Sequence, residues 1–221
     1  MILPLHHGQH RRHPVDWDLG VAWFSRLVTP PMEEPLGLEY VSAKVLRVSN
    51  DGYDSDFVAR CITAAREQFE AESLRAAMRQ TWALTLDRFP QHWVELPRPP
   101  LIEVVSVDYF DTAGEPASLA VGSPSVAQFR TVPSGEFVPA RIIPLRGASW
   151  PATDSRPDAV TITYDCGYEF IGSPEVSSMP ARYLAGMCLL VAELYKQREL
   201  SVDGRLAPAT VQTDRFWRRV W

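Results

Sequence analysis

The chain has 221 residues, 46% of them hydrophobic and 22% charged, and 22 Lys plus Arg against 27 Asp plus Glu give a net charge of −5. Such a chain can bury a core, which excludes a mainly disordered protein, and its acidic balance excludes one that coats nucleic acid by electrostatics alone. Three widely spaced cysteines, Cys61, Cys166 and Cys188, exclude a disulfide framework and a cysteine-rich zinc site.

That cysteine usage predicts a reducing, intracellular folding compartment. No stretch approaches about 18 apolar residues, so neither a membrane span nor an export signal is expected and the chain reads as soluble. Proline divides it: thirteen of the nineteen prolines lie from Pro90 to Pro180, and none between Leu36 and Phe89. Because proline removes a backbone donor and breaks helix interiors, the middle third cannot be mostly helical, whereas its flanks can.

Residues 1–40 mix His, Pro and Trp without a sustained period and read as an extended N-terminal arm, with a short helical turn over Leu19–Val28. Leaving Trp17, Trp23 and Phe24 in water forgoes roughly 1.5–3 kcal/mol each relative to burial. They are expected to dock on this chain or on a neighbour, as subunit-interface residues. Residues 41–79 carry two helices around the turn Ser49-Asn50-Asp51-Gly52. Ser42 is the expected cap of the first, over Ala43–Val48. The second starts at Asp54, Ser55 or Asp56, carries the stripe Val58, Ile62, Ala65 and Phe69, and runs to about Leu74 or Met78. Residues 80–172 read as short strands at Thr81–Leu86, Ile102–Phe110, Gln128–Val132, Phe137–Ile143 and Val160–Tyr164, with turn chemistry at Asp111–Gly114. Residues 173–204 return to helix, opened by Ser178 or Pro180, with Leu184, Met187, Cys188, Val191, Leu194 and Tyr195 on its apolar face. Neither flanking helix can bury its stripe alone, so the two are expected to pair. The fold class is α+β: a small helical bundle with an inserted antiparallel β-sheet or sandwich. Residues 205–221 form a basic, aromatic C-terminal tail with four Arg and one Asp.

The residue patterns predict no enzyme, cofactor, catalytic residue or metal site. His6, His10 and His13 would share a helical face, with His7 beside them, a spacing a metal-dependent hydrolase can use. Pro4, Gly8 and Pro14 oppose that helix, and no nearby Cys or carboxylate completes the set before Asp16. The chain lacks a G-x-S-x-G elbow, a phosphate loop and G-x-G-x-x-G. Cys61 and Cys188 are expected in the core, whereas Cys166 at a strand end is expected to be more exposed, with His92 its sole remaining histidine partner. Glu33-Glu34 and Asp54/Asp56 precede helices and read as caps. Arg215, Phe216, Trp217, Arg218, Arg219, Val220 and Trp221 combine arginines with aromatics as interface anchors do.

Leu27-Val28-Thr29-Pro30-Pro31, Ala43–Val48, Ala64-Ala65-Arg66-Glu67, Gln80–Pro90, Glu95–Leu101 and Val104–Tyr109 follow one another in an order that resembles the head-to-tail adaptor (connector, or head-completion) family of tailed phages and gene transfer agents. Ser149-Trp150-Pro151, Arg156–Val160, Cys166-Gly167-Tyr168 and the closing helix with Pro180, Leu189–Ala192 and Tyr195 extend the resemblance to about Leu200. It implies a non-enzymatic virion part made in the bacterial host cytoplasm, which forms a homo-oligomeric ring, commonly dodecameric, at the neck. DNA would pass through the lumen without sequence-specific binding. The implied partners are the portal protein, reached by Arg215–Trp221, and a stopper or other tail-side connector; no membrane is implied. Another neck or tail completion protein docking through the β unit is the alternative role. Residues 1–26 lie outside the resemblance.

Overall fold

The computed structural model describes residues 21, 23–48, 54–121, 128–133, 138–171 and 176–197. The first described element is a strand, β1 (Trp23–Thr29), where a helical turn is expected from the sequence. Five of its seven residues, Trp23, Phe24, Leu27, Val28 and Thr29, are aromatic, β-branched or leucine, and Pro30-Pro31 stop it. This composition fits a pleated ribbon better than a helix. Helix α1 starts at Leu38, earlier than expected, and after one turn (Leu38–Tyr40) continues as a π-helical segment, Val41–Leu46. Ser42 is therefore buried inside it rather than capping it. Helix α2 spans Ser55–Ser73 and ends where Leu74 takes a left-handed conformation, φ 53°. Helix α3 spans Ala181–Lys196 behind Pro180, whose fixed φ suits a helix start.

Between α2 and α3 the described residues form nine strands: β2 (Gln80–Leu86), β3 (Val94–Leu96), β4 (Leu101–Phe110), β5 (Pro116–Ser118), β6 (Phe129–Val132), β7 (Ala140–Pro144), β8 (Val160–Cys166), β9 (Phe170–Ile171) and β10 (Val176–Ser177). The prolines obey the sheet: Pro116 opens the edge strand β5 and Pro144 closes β7, positions that need no central ladder donor. A five-stranded sheet of order β1-β2-β8-β4-β5 faces a three-stranded one of order β3-β7-β6, and β9 and β10 pair separately. All pairs are antiparallel. Leu84, Leu86, Val160, Ile162 and Tyr164 of the larger sheet meet Val94, Leu96, Phe129 and Ile142 of the smaller in one core. The alternation of Val160, Ile162, Tyr164 and Cys166 puts each of these side chains on the inner face. The fold is α+β, and its β unit takes its edge strand, β1, from upstream of the helices.

A second core joins α2 to α3: Val58, Cys61, Ile62, Ala65 and Phe69 pack with Tyr183, Met187, Leu190 and Val191, together with Leu36 and Val41. Ring contacts between Phe69 and Tyr183, and between Phe57 and Tyr195, fix the pair near each end. Two devices connect the helical and β parts. In the first, the buried Glu70 of α2 accepts hydrogen bonds from the Ala77 backbone N–H (2.9 Å), from Gln80 Nε2 at the start of β2 (2.8 Å) and from Arg66 (3.2 Å). Arg66 also donates to Glu34 at 2.9 Å, and Thr63 to Glu34 at 2.8 Å. Glu34 thus straps the segment after β1 to the middle of α2 rather than capping a helix. Asp54 likewise makes no side-chain cap hydrogen bond and accepts one from the Tyr195 hydroxyl at 2.6 Å. In the second, Gly167 has φ +116°, and a Cβ there would lie 2.1 Å from Met78 O, so the chain before β2 passes where only glycine leaves room.

Candidate assembly surface

β1 is the terminal strand of the larger sheet, and no described strand pairs with its outer edge. Its register sets Trp23, Ser25 and Leu27 opposite Leu86, Leu84 and Trp82, on the core-facing side, and Phe24 and Arg26 opposite Thr85 and Ala83, on the other. Val28 stands at a bulge between Leu27 and Thr29. Trp23 is half-buried against the β core, so this tryptophan docks on its own chain. Phe24, Leu27 and Val28 are 54%, 42% and 46% exposed, and Met32 beyond them 89%. An edge strand that shows apolar side chains on both faces, with Arg26 its only charge, is poorly protected against pairing with another chain.

The outer face of the same sheet is polar. Thr81 donates to Asp165 at 2.7 Å, and Arg79 donates to Asp165 and Glu169 at 2.8 Å each and to Glu103 at 3.3 Å. The bonds that Arg79 donates to Asp165 and Glu169 hold its guanidinium above its ordinary pKa. At the far edge, Asp108 accepts from Ser106 and Ser118, and Asp111 closes the β4–β5 turn by accepting from the backbone N–H groups of Ala113 and Glu115. Arg156 pairs with Asp158 at 2.6 and 3.0 Å and lies over the Phe110 ring at 3.9 Å. That bond raises the Arg156 pKa and lowers that of Asp158. The two sheet edges therefore differ in kind, one apolar with an arginine, the other acidic. On the smaller sheet, Arg141 binds Glu95 and covers the exposed Trp93 at 5.0 Å.

Cys166, expected at an exposed strand end, is buried on the inner face of β8 at 1% exposure, and desolvation pushes its thiol far above the ordinary range. A thiol held neutral in this way is no nucleophile. Cys61 is buried and Cys188 half-buried, and His92 is exposed. Among the described residues no group of three or more His, Cys, Asp or Glu is placed to hold a metal ion, and no helix is long and apolar enough to cross a membrane. Trp17, the histidine tract His6–His13 and Arg215–Trp221 lie outside the described residues. The structure also reveals contacts that sequence patterns do not show. Arg98 lies over the Trp82 ring at 4.0 Å, and the Tyr164 hydroxyl donates to Pro97 O at 3.1 Å. The sequence signal for β1 itself, an aromatic and β-branched run stopped by two prolines, is plain once weighed against the helical turn.

No family model and no curated protein sequence matches the chain. Among solved structures, a chain of the virion of a native gene transfer agent particle shares the fold with a TM-score of 0.67 and 22% identity, over 89% of this chain and 96% of that one. A chain from the neck of an empty gene transfer agent particle, computed with C6 symmetry, gives a TM-score of 0.66 and 22% identity, over 87% of this chain and 94% of that one. A chain from the neck of the native particle, computed with C12 symmetry, gives 0.54 and 20%, over 86% and 94%.

Proposed function

We propose that this chain is a structural, non-enzymatic subunit of the neck of a tailed-phage-like particle: a head-to-tail adaptor that forms a ring beneath the portal, extends the DNA channel and offers the next neck or tail protein a docking platform. The observation that carries this reading is a fold shared with neck chains over nearly the whole length of both partners. The sixfold and twelvefold symmetries of those necks support a ring. In the proposed division of labour, residues 41–79 and 173–204 form the helical body, and residues 80–172, with β1 added at their edge, form the β unit. Arg215–Trp221 dock on portal. An acidic chain, net charge −5, suits a conduit that surrounds DNA without retaining it.

Electron microscopy of the purified chain mixed with portal tests the class, with rings coaxial with portal expected. Deleting residues 214–221 tests the tail: the truncated chain should keep its thermal midpoint and lose portal binding. Undiminished binding would refute the tail assignment. It would favour a second reading, a neck or tail completion protein that docks through its β unit, which the exposed Phe24, Leu27, Val28, Trp93 and Val105 support.

A further inference from the structure

We infer that β1 of one subunit docks, on a second copy of this chain, against the stretch of β4 that no described strand covers, so that the larger sheet continues from subunit to subunit. The inference rests on the ring reading above and specifies its contact. A ring needs a heterologous contact, in which two different surfaces of the same chain meet. The larger sheet offers such a pair at its opposite ends. At one end stands β1, with no described strand on its outer edge. At the other, β5 pairs with Asp108–Phe110 of the ten-residue β4, the Leu119 N–H just after β5 donates to Val107 O at 2.9 Å, and no described strand covers Glu103–Ser106.

Direction, faces and chemistry agree. β1, β2, β8 and β4 are joined by three successive antiparallel pairings, so β1 and β4 run in opposite senses. Rotation about a ring axis preserves those senses within each neighbour, and the β4-to-β1 junction is then antiparallel like the rest of the sheet. On the outer face Arg26 would meet the side that carries Glu103, opposite in charge, which Arg79 holds at 3.3 Å within its own chain. Val28 and Val105 both stand at bulges and are 46% and 51% exposed, so each edge turns an apolar residue outward beside its charge. Bulges also add twist and bend, which a sheet wrapped round an axis requires. The competing occupant of the β1 edge, the chain's own residues 1–20, carries Pro4 and Pro14, which confine any added strand there to the short alternating run Val15-Asp16-Trp17-Asp18-Leu19. Edge addition of this kind draws its affinity from backbone hydrogen bonds and its specificity from the alternating side chains.

The test uses the full-length chain with Cys188→Ala, assembled on portal and treated with a short bis-maleimide. Phe24→Cys combined with Val105→Cys should yield a ladder of intermolecular products that neither single variant yields. Leu27→Lys with Val28→Lys, both at exposed positions, should abolish rings while the thermal midpoint of the isolated chain stays unchanged. Rings in micrographs without a cross-linked ladder would overturn the inference and leave the ring reading intact. Absence of rings from the unmodified chain on portal would overturn that reading and the inference with it. A Phe24→Cys thiol that is protected in the isolated chain and becomes reactive once residues 1–20 are removed would assign the edge to the chain's own N-terminal segment, also overturning the inference.

Discussion

Replacing Glu70 by Ala should cost about 3 kcal/mol of stability, and most of that cost should come from lost acceptors rather than lost charge. Glu70 is 9% exposed, and its Oε1 serves both the Ala77 N–H and Gln80 Nε2. A buried donor left without an acceptor costs about 1–3 kcal/mol, and the substitution leaves two of them. Breaking a buried ion pair costs about 3–5 kcal/mol when the remaining charge is orphaned. Arg66 is not orphaned, because Glu34 still holds it at 2.9 Å, so the full ion-pair cost does not apply. Glu70→Gln keeps a carbonyl oxygen for the two donors and weakens only the Arg66 side, at about 1 kcal/mol. Urea titration measures both through a shift in midpoint at unchanged slope. A double cycle with Gln80→Ala should show coupling of about 1 kcal/mol. A Glu70→Ala chain within about 0.5 kcal/mol of the parent, the range of ordinary surface changes, would refute this role for Glu70. So would a Glu70→Gln cost equal to that of Glu70→Ala, since charge and not acceptance would then be what matters.

Gly167→Ala should lose about 3 kcal/mol, seen as a lowered thermal midpoint, because φ +116° is strained for alanine and the new Cβ would meet a backbone oxygen, Met78 O, rather than a yielding side chain. Stability should also fall in alkali. Burial raises the folded-state pKa of Cys166 and Tyr164 above their ordinary values of 9.0 and 10.0. The folded chain therefore keeps protons that the unfolded chain releases; this contribution is complete below about pH 9 and is lost as pH rises beyond it. Denaturation series on either side of pH 9 should show the decline, and Cys166→Ala should flatten its onset. Stability that is flat or rising from pH 8 to pH 10 would contradict the burial of these groups.

Local pattern was enough wherever one face of an element meets one core. Val58, Ile62, Ala65 and Phe69 recur at helical spacing and are buried together; Val160, Ile162 and Tyr164 alternate and face inward. The concentration of proline between Pro90 and Pro180 excludes a helical middle, and nine of the ten described strands lie between α2 and α3. Reading β1 as part of an arm with a helical turn fails because strand formation there is completed by β2, more than fifty residues later in the chain, a partner no local window contains. Cys166 differs from expectation for a related reason: its position at a strand end suggests exposure, whereas its face, set by pairing with Gln80, makes it core.

The acidic residues divide in the same way. Glu34 and Asp54 sit where caps belong, yet their partners are Arg66 and Thr63 for one and Tyr195 for the other, chosen by packing of distant segments. The amino-acid sequence by itself determined the α+β class, the pairing of two amphipathic helices and the placement of most strands, because periodicity and proline act over a few residues. Only the tertiary structure decided that β1 forms one edge of the sheet, that β5 pairs with only the end of β4 at the other, and that Glu70 and Gly167 tie the two parts together. Hydrogen-bond partners and steric room are properties of segments far apart in the chain, and they exist only once those segments have met.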